Sequence, residues 1–117
     1  MRLHLLSALV LMTAAALTGC KSDPPPMPLA ELNPQQIRGH ADFQTRCGLC
    51  HYDRKSGPLN GPSMLGVFKK SSLPSGAAAT DERVTATILH GRNNMPALGN
   101  QLDPADVDDI LAYLHTL

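Results

Sequence analysis

The clearest hydrophobic pattern lies at the C-terminal end of the chain. Val107, Ile110, Leu111 and Leu114 recur at i, i+3, i+4 and i+7, the spacing of one buried helical face, with Tyr113 at its edge. Asp103 is placed to cap this helix, Pro104 suits its first position, and Asp106, Asp108 and Asp109 lie near the positive end of its dipole. A first helix is predicted from Asn33, with Pro34 at its first position and Gln36 completing a capping box. It runs through Ile37, Gly39 and Phe43 towards Cys47. Gly39 costs a helix interior about 1 kcal/mol relative to Ala, so its presence calls for a reason. Gly39 and Phe43 share a face, and docking of the last helix against that face would explain both residues. Between the two, Gly57-Pro58 and Gly61-Pro62 mark turns, and residues 73–79 read as a mobile surface loop. Thr80 then caps a helix with Asp81 and Glu82 in its first turn, ending near Gly91 and facing Val84, Ile88 and Leu89 inward. The pattern predicts a small all-α domain of three to four helices.

The N-terminal pattern is of another kind. Arg2 precedes an apolar stretch over residues 3–17 that ends in Leu17-Thr18-Gly19-Cys20. A basic start, a short apolar region and small residues form the layout of a secretory signal peptide, and about fifteen apolar residues fall short of the ~20 that span a bilayer. Leu-Thr-Gly-Cys resembles the lipobox of bacterial lipoproteins, which makes Cys20 the expected lipidated first residue of the mature chain; the competing reading is an ordinary signal peptide or uncleaved anchor with an incidental Cys. Pro24, Pro25, Pro26 and Pro28 then favour an extended tether over residues 21–32, with a reach of roughly 35 Å at ~3.1 Å per residue. The expected organisation is a signal peptide over 1–19, a lipidated Cys and Pro-rich tether over 20–32, and one domain over 33–117.

Composition changes the picture in two ways. The chain has 117 residues and a formal charge of zero, and loss of Arg2 leaves the mature part at about −1. With no basic excess, nothing points to nucleic acid. The chain holds two Phe, two Tyr and no Trp, few large residues with which a domain this small can fill a core. A buried apolar cofactor would supply the missing bulk.

Cys47-Gly48-Leu49-Cys50-His51 names that cofactor. C-x-x-C-H reads as a covalent attachment site for a c-type haem. Steps of three and four residues return to one face of a helix, so both thiols and the imidazole can address one flat ligand. Each sulfur would form a thioether with a haem vinyl group, and His51 would be the proximal iron ligand. A thioredoxin-like redox pair needs a βαβ setting, which the pattern lacks, and a zinc site needs four N or S ligands, for which no second Cys pair exists. With Cys20 assigned to lipid, the third cysteine leaves none for a disulfide.

Over residues 33–117 the chain resembles a class I cytochrome c. The haem motif follows a helix bearing the family's Gly and aromatic pair at Gly39 and Phe43. Gly61-Pro62-Ser63-Met64-Leu65-Gly66 resembles the family's G-P-x-L-x-G loop, with Met64 at the Leu position. Asn94-Met95-Pro96 resembles the loop that supplies the second axial ligand, and Ile110, Tyr113 and Leu114 match the C-terminal helix. Leu98 departs from the pattern, since a larger aromatic often follows the Met-Pro pair. The resemblance implies a cytochrome c fold wrapped around one covalent haem c. It further implies that Met95 is the sixth ligand beside His51, and that the Pro62 carbonyl accepts a hydrogen bond from the second nitrogen of the proximal His. His90 is the rival ligand; Met64, Met27 and Met12 are placed less well.

With His51 and Met95 on one iron no substrate position is open, so the expected function is single-haem electron transfer without enzymatic activity or a small-molecule substrate. The expected partners are a redox donor and acceptor docking at the haem edge, near which Arg46, Arg54, Lys55, Lys69 and Lys70 form either a basic rim or a scattered solvated set. The expected location is the periplasmic side of a membrane, through the lipid on Cys20; Lys21 after the Cys resembles lipoproteins sorted to an outer membrane, which applies where the source has two membranes. Two other readings stay open: a haem-based sensor with an open iron, and the tethered electron-entry subunit of a dehydrogenase or oxidase.

Overall fold

The computed structural model describes residues 24–117, so the signal-peptide and Cys20 expectations lie outside the described residues. Three helices organise the described part: α1 (Pro34–Arg46), α2 (Asp81–His90) and α3 (Pro104–Leu114), with short 3-10 turns at Leu29–Glu31 and Val67–Lys69. Among the described residues the only β-type pairing is an isolated bridge between Arg92 and Met95. The fold is therefore all-α.

The helix starts follow local chemistry. Asn33 accepts from the Gln36 N–H at 2.9 Å while the Gln36 side chain accepts from the Asn33 N–H at 2.9 Å. Asp103 and Asp106 form the same reciprocal box at 3.0 Å each way, and Thr80 caps α2. Each box satisfies N–H groups that a helix start leaves without intrahelical partners.

The core forms where α1 crosses α3. Gly39 lies against the Asp109 backbone so closely that a Cβ there would overlap the Asp109 carbonyl. That contact brings Phe43, Ile110 and Tyr113 together, all at most 2% exposed. The Phe43 and Tyr113 rings meet edge-on at 5.8 Å, a favoured aromatic arrangement. Tyr113 is fully buried rather than at the edge of its face, because α1 covers its ring and its hydroxyl donates to Asp53 at 2.7 Å. Beside the crossing Arg38 donates twice to Asp109, at 2.6 and 3.1 Å, and this hydrogen-bonded guanidinium holds the Asp109 carboxyl below the usual carboxylate range. Ile37, although apolar, is 53% exposed.

The Pro-rich segment does not run free to residue 32. Leu32 is buried in the core, the Met27 N–H donates to the Thr116 carbonyl at 2.7 Å, and Arg54 Nη2 donates to the Met27 carbonyl at 2.8 Å. From Met27 onward the segment is a strap on the domain. Proline fixes extended backbone but leaves its neighbours' N–H and C=O groups available, and the domain surface takes up those of Met27. Residues 73–79 are likewise drawn in at their base, where Leu73 packs partly buried against the core and its N–H donates to the Ala77 carbonyl at 2.8 Å.

Candidate haem site

α1 ends at Arg46, so the Cys-x-x-Cys-His run is a pair of turns prolonging the helix rather than a part of it. Cys47 is the C-cap and donates to the Phe43 carbonyl at 2.8 Å. The Cys50 and His51 N–H groups both donate back to the Cys47 carbonyl, at 3.0 and 2.9 Å. The three- and four-residue returns anticipated for a helix are kept by these bonds. Cys47 is buried in the apolar core cluster and Cys50 is exposed. Burial first, then the Asp42 charge, pushes the Cys47 thiol up to about 11. A redox-active or nucleophilic cysteine has its thiol lowered by a basic or dipolar environment, and Cys47 shows the opposite. At Cys47 the surroundings do not activate the thiol for dithiol exchange.

The Gly61-Pro62 loop is built around the His51 ring. His51 Nδ1 lies 2.7 Å from the Pro62 carbonyl oxygen, and since a carbonyl only accepts, Nδ1 carries the proton. The other ring nitrogen, Nε2, is left as the acceptor. A Cβ on Gly61 would lie 2.5 Å from His51 Cε1 and 3.1 Å from Nε2, so only a glycine leaves room for the ring. The loop is held down by the Gly61 N–H to the Cys50 carbonyl and the Met64 N–H to the Tyr52 carbonyl, both at 2.7 Å. Asn60 Nδ2 donates to the Leu49 carbonyl at 3.1 Å. A cleft of about 400 Å³ opens beside Pro62, with Met64, Val67 and Leu73 among its walls.

Met95 closes a tight turn at the C-terminal end of α2. Arg92 and Met95 exchange backbone hydrogen bonds at 3.1 and 2.9 Å across Asn93, whose φ is +52°. Gly91, at φ +73°, passes so near the Met95 carbonyl that a side chain there would collide with it. Met95 is half-buried and packs against the same core cluster that contains Cys47. Leu98, the departure from the family pattern, is buried and its N–H donates to the Ile88 carbonyl at 3.0 Å, which pins the far side of the loop. His90 is exposed and lines a different surface cleft, with Arg83, Thr87 and Arg92. Cys47, Cys50, His51 and Pro62 are thus brought together in one unit, while Met95 joins them through the core. Of the basic residues, Arg46, Lys55, Lys69 and Lys70 are exposed, but Arg54 is committed to the Met27 carbonyl.

Residues that the sequence reading passed over surround the motif. Asp53 Oδ2 accepts from Gln44 Nε2 as well as from Tyr113, both at 2.7 Å, and its Oδ1 accepts the Arg54 N–H at 2.8 Å. A carboxylate two places after a histidine carries no signal of its own in the sequence.

The donor set fits a covalent haem. Two thiols flank one turn, an imidazole beside them has a free acceptor nitrogen and a fixed orientation, and a thioether sits on the same apolar core. The comparisons agree. A family model described as "Cytochrome C oxidase, cbb3-type, subunit III" matches residues 34–114. Cytochrome c6 of Nostoc sp. (strain PCC 7120) is 28% identical over 107 residues, which cover 92% of this chain and 87% of that protein. Cytochrome c2 of Rhodopila globiformis is 32% identical over 97 residues, covering 69% and 92% respectively. Cytochrome c6 of Bumilleriopsis filiformis is 28% identical over 76 residues, covering 65% and 84%. The chain belongs to the cytochrome c family as a class I mono-haem c-type cytochrome, which carries one covalently bound haem c and works as a single-haem electron carrier rather than as an enzyme.

Proposed function

We propose that Cys47 and Cys50 form the two thioethers and that His51 Nε2 and the Met95 sulfur are the axial iron ligands, in a domain tethered to a membrane through Cys20. The observation that carries the reading is the 2.7 Å contact from His51 Nδ1 to the Pro62 carbonyl, which fixes the tautomer and leaves Nε2 free for a metal. The haem supplies a one-electron couple whose potential thioether ligation raises. The chain's own residues do the rest. Cys47 and Cys50 would hold the group by covalent bonds, Pro62 and Gly61 orient the imidazole, and the Met95 turn would present its sulfur to the metal against competing ligands. With both donors supplied by the protein, a change of oxidation state would demand little rearrangement of the chain. Replacing both Cys47 and Cys50 with alanine is expected to let acid-acetone extract all of the haem; retention by the double variant would refute the thioether assignment.

The tethering half of the proposal rests on Leu17-Thr18-Gly19-Cys20 after the apolar segment. No helix of the described residues is long and apolar enough to cross a membrane. With Met27 strapped to the domain, residues 21–26 separate it from Cys20, a reach of about 19 Å at ~3.1 Å per residue. The domain is then held near the membrane on the exported, periplasmic side, with Lys21 favouring an outer membrane. One acyl chain binds only reversibly, so Cys20 is expected to carry several. Mass spectrometry of the mature N-terminus is expected to show that acylation, with the protein in the membrane fraction. An unmodified N-terminus on a soluble periplasmic protein would rule it out.

The partners in this reading are a redox donor and an acceptor. A second reading, the electron-entry subunit of an oxidase complex, is favoured by the description of the matching family model. Purification from membranes in mild detergent separates the two, since a subunit elutes with a terminal oxidase and a free carrier elutes alone.

A further inference from the structure

We propose that Asp53 is a fixed negative charge that sets the reduction potential, held by Tyr113 and Gln44 two positions beyond the proximal histidine. The inference rests on the assignment of His51 to the iron.

Three donors converge on this one carboxylate: the Tyr113 hydroxyl from α3, the Gln44 amide from α1 and the Arg54 backbone N–H. Gln44 lies three residues before Cys47 and Asp53 two residues after His51, so their bond spans the haem motif from one end to the other. The backbone between is pinned as well, by the Gly61 and Met64 N–H groups on the Cys50 and Tyr52 carbonyls. The carboxylate is therefore held in place by three donors spread over its two oxygens. Tyr113 is fully buried, and its hydroxyl is held above the usual phenol range by that burial first and then by the bond to Asp53, so it remains a donor.

The three donors fall on both oxygens, Tyr113 and Gln44 on Oδ2 and the Arg54 N–H on Oδ1; an amide could serve the first two but would turn its own N–H groups towards the third. Hydrogen bonding thus calls for a carboxylate, and the charge comes with it into a partly buried site. The Arg54 side chain does not bond to it directly: Nη2 donates to the Met27 carbonyl, Nη1 is buried without a partner among the described residues, and the guanidinium lies by the Tyr113 hydroxyl. What that charge adds is electrostatic. The oxidised centre carries one more positive charge than the reduced one, so a nearby fixed negative charge favours oxidation and lowers the potential. The effect is strengthened where water is excluded and is poorly screened by salt. The Arg54 cation opposes it in the parent, but removing the Asp53 charge raises the potential whether or not that offset is present.

The test is the midpoint potential of the haem-loaded variants by spectroelectrochemical titration. Asp53→Asn keeps the shape and is expected to raise the potential, shifting the oxidised-to-reduced ratio at fixed poise by about three- to tenfold, where tenfold is 59 mV for one electron. Asp53→Glu is expected to restore it. Tyr113→Phe breaks the same hydrogen bond but leaves the charge less compensated, and is expected to lower the potential. A purely structural role predicts that Asp53→Asn and Tyr113→Phe move together. If both raise the potential, or if Asp53→Asn leaves it unchanged, the inference is overturned. Should Asp53→Asn fail to mature with haem, Tyr113→Phe decides alone, and a potential that does not fall overturns the inference. The absorption spectra separate this outcome from failure of the ligand assignment. A parent without low-spin c-type bands removes both, whereas unchanged bands with unshifted potentials remove only the role of Asp53.

Discussion

Replacing Met95 with alanine is expected to open the iron to carbon monoxide, lower the reduction potential and abolish the weak near-infrared band that reports sulfur ligation in the oxidised form. Three features of the loop make the result a test of the sulfur itself. Its start is fixed by Gly91, whose positive φ and contact with the Met95 carbonyl tolerate no side chain. Its tip is closed by the reciprocal backbone bonds of Arg92 and Met95, which an alanine keeps. Its end is fixed by the Leu98 and Gly99 N–H groups on the Ile88 and Leu89 carbonyls, at 3.0 and 3.1 Å. The backbone path therefore survives the substitution while the side chain that packs on the core is lost. Stability falls with it, and hydrogen exchange is expected to loosen residues 91–98 first, at the tip between those fixed ends. Met64→Leu is the control. Met64 is half-buried beside Pro62, and an apolar swap of similar size costs less than ~1.5 kcal/mol, so the spectrum and potential should not move. Rapid binding of carbon monoxide by the unsubstituted ferrous protein, with a spectrum that Met95→Ala leaves unchanged, would displace Met95 from the iron and favour the sensor reading.

What the sequence made legible was local. The box at Asn33 and the cap at Asp103 are written within four residues, and both form as read, while Asp106 closes a second box that was not anticipated. The face of α3 repeats with the helical period, and the unexplained glycine on α1 pointed to the helix that covers it. The failures share a cause. Tyr113 finds Asp53 across 60 residues and Arg38 finds Asp109 across 71, and no periodicity links partners so far apart. The haem motif was read as helix because i+3 and i+4 returns belong equally to a helix and to the turns that prolong it. Pro28 takes the extended backbone that the proline run announced, but nothing in that run foretold that Met27 would lend its N–H and C=O to the domain. At the haem site the type and order of residues were legible and the reason for one of them was not. Gly61 reads as a turn glycine in the sequence, and only the ring of His51 beside it shows what its missing side chain permits.

Gly39→Ala is expected to destabilise the helical core strongly. Two effects oppose each other there. Alanine gains about 1 kcal/mol of helix propensity over glycine, and on an exposed face that gain would show. At Gly39 the added Cβ would overlap the carbonyl of Asp109 and come within 3.0 Å of the Ile110 nitrogen. Both are backbone atoms of α3 and cannot rotate away, so the helices must separate. Separation loosens the edge-on contact of Phe43 with Tyr113 and pulls at both hydrogen bonds from Arg38 to Asp109. Inserting one carbon into a packed core typically costs ~1–3 kcal/mol, and an obstacle made of backbone places this site at or above the top of that range, well beyond the propensity gain. Denaturant midpoints of the haem-loaded proteins are the measurement. Ala41→Gly, on the exposed side of the same helix, provides the scale, since it should lose only the propensity term of about 1 kcal/mol. Gly39→Ala should lose more than Ala41→Gly although it makes the opposite exchange. A Gly39→Ala protein with an unchanged or higher midpoint would mean that propensity governs the site, and that α1 and α3 do not need the close approach on which Phe43 and Tyr113 depend.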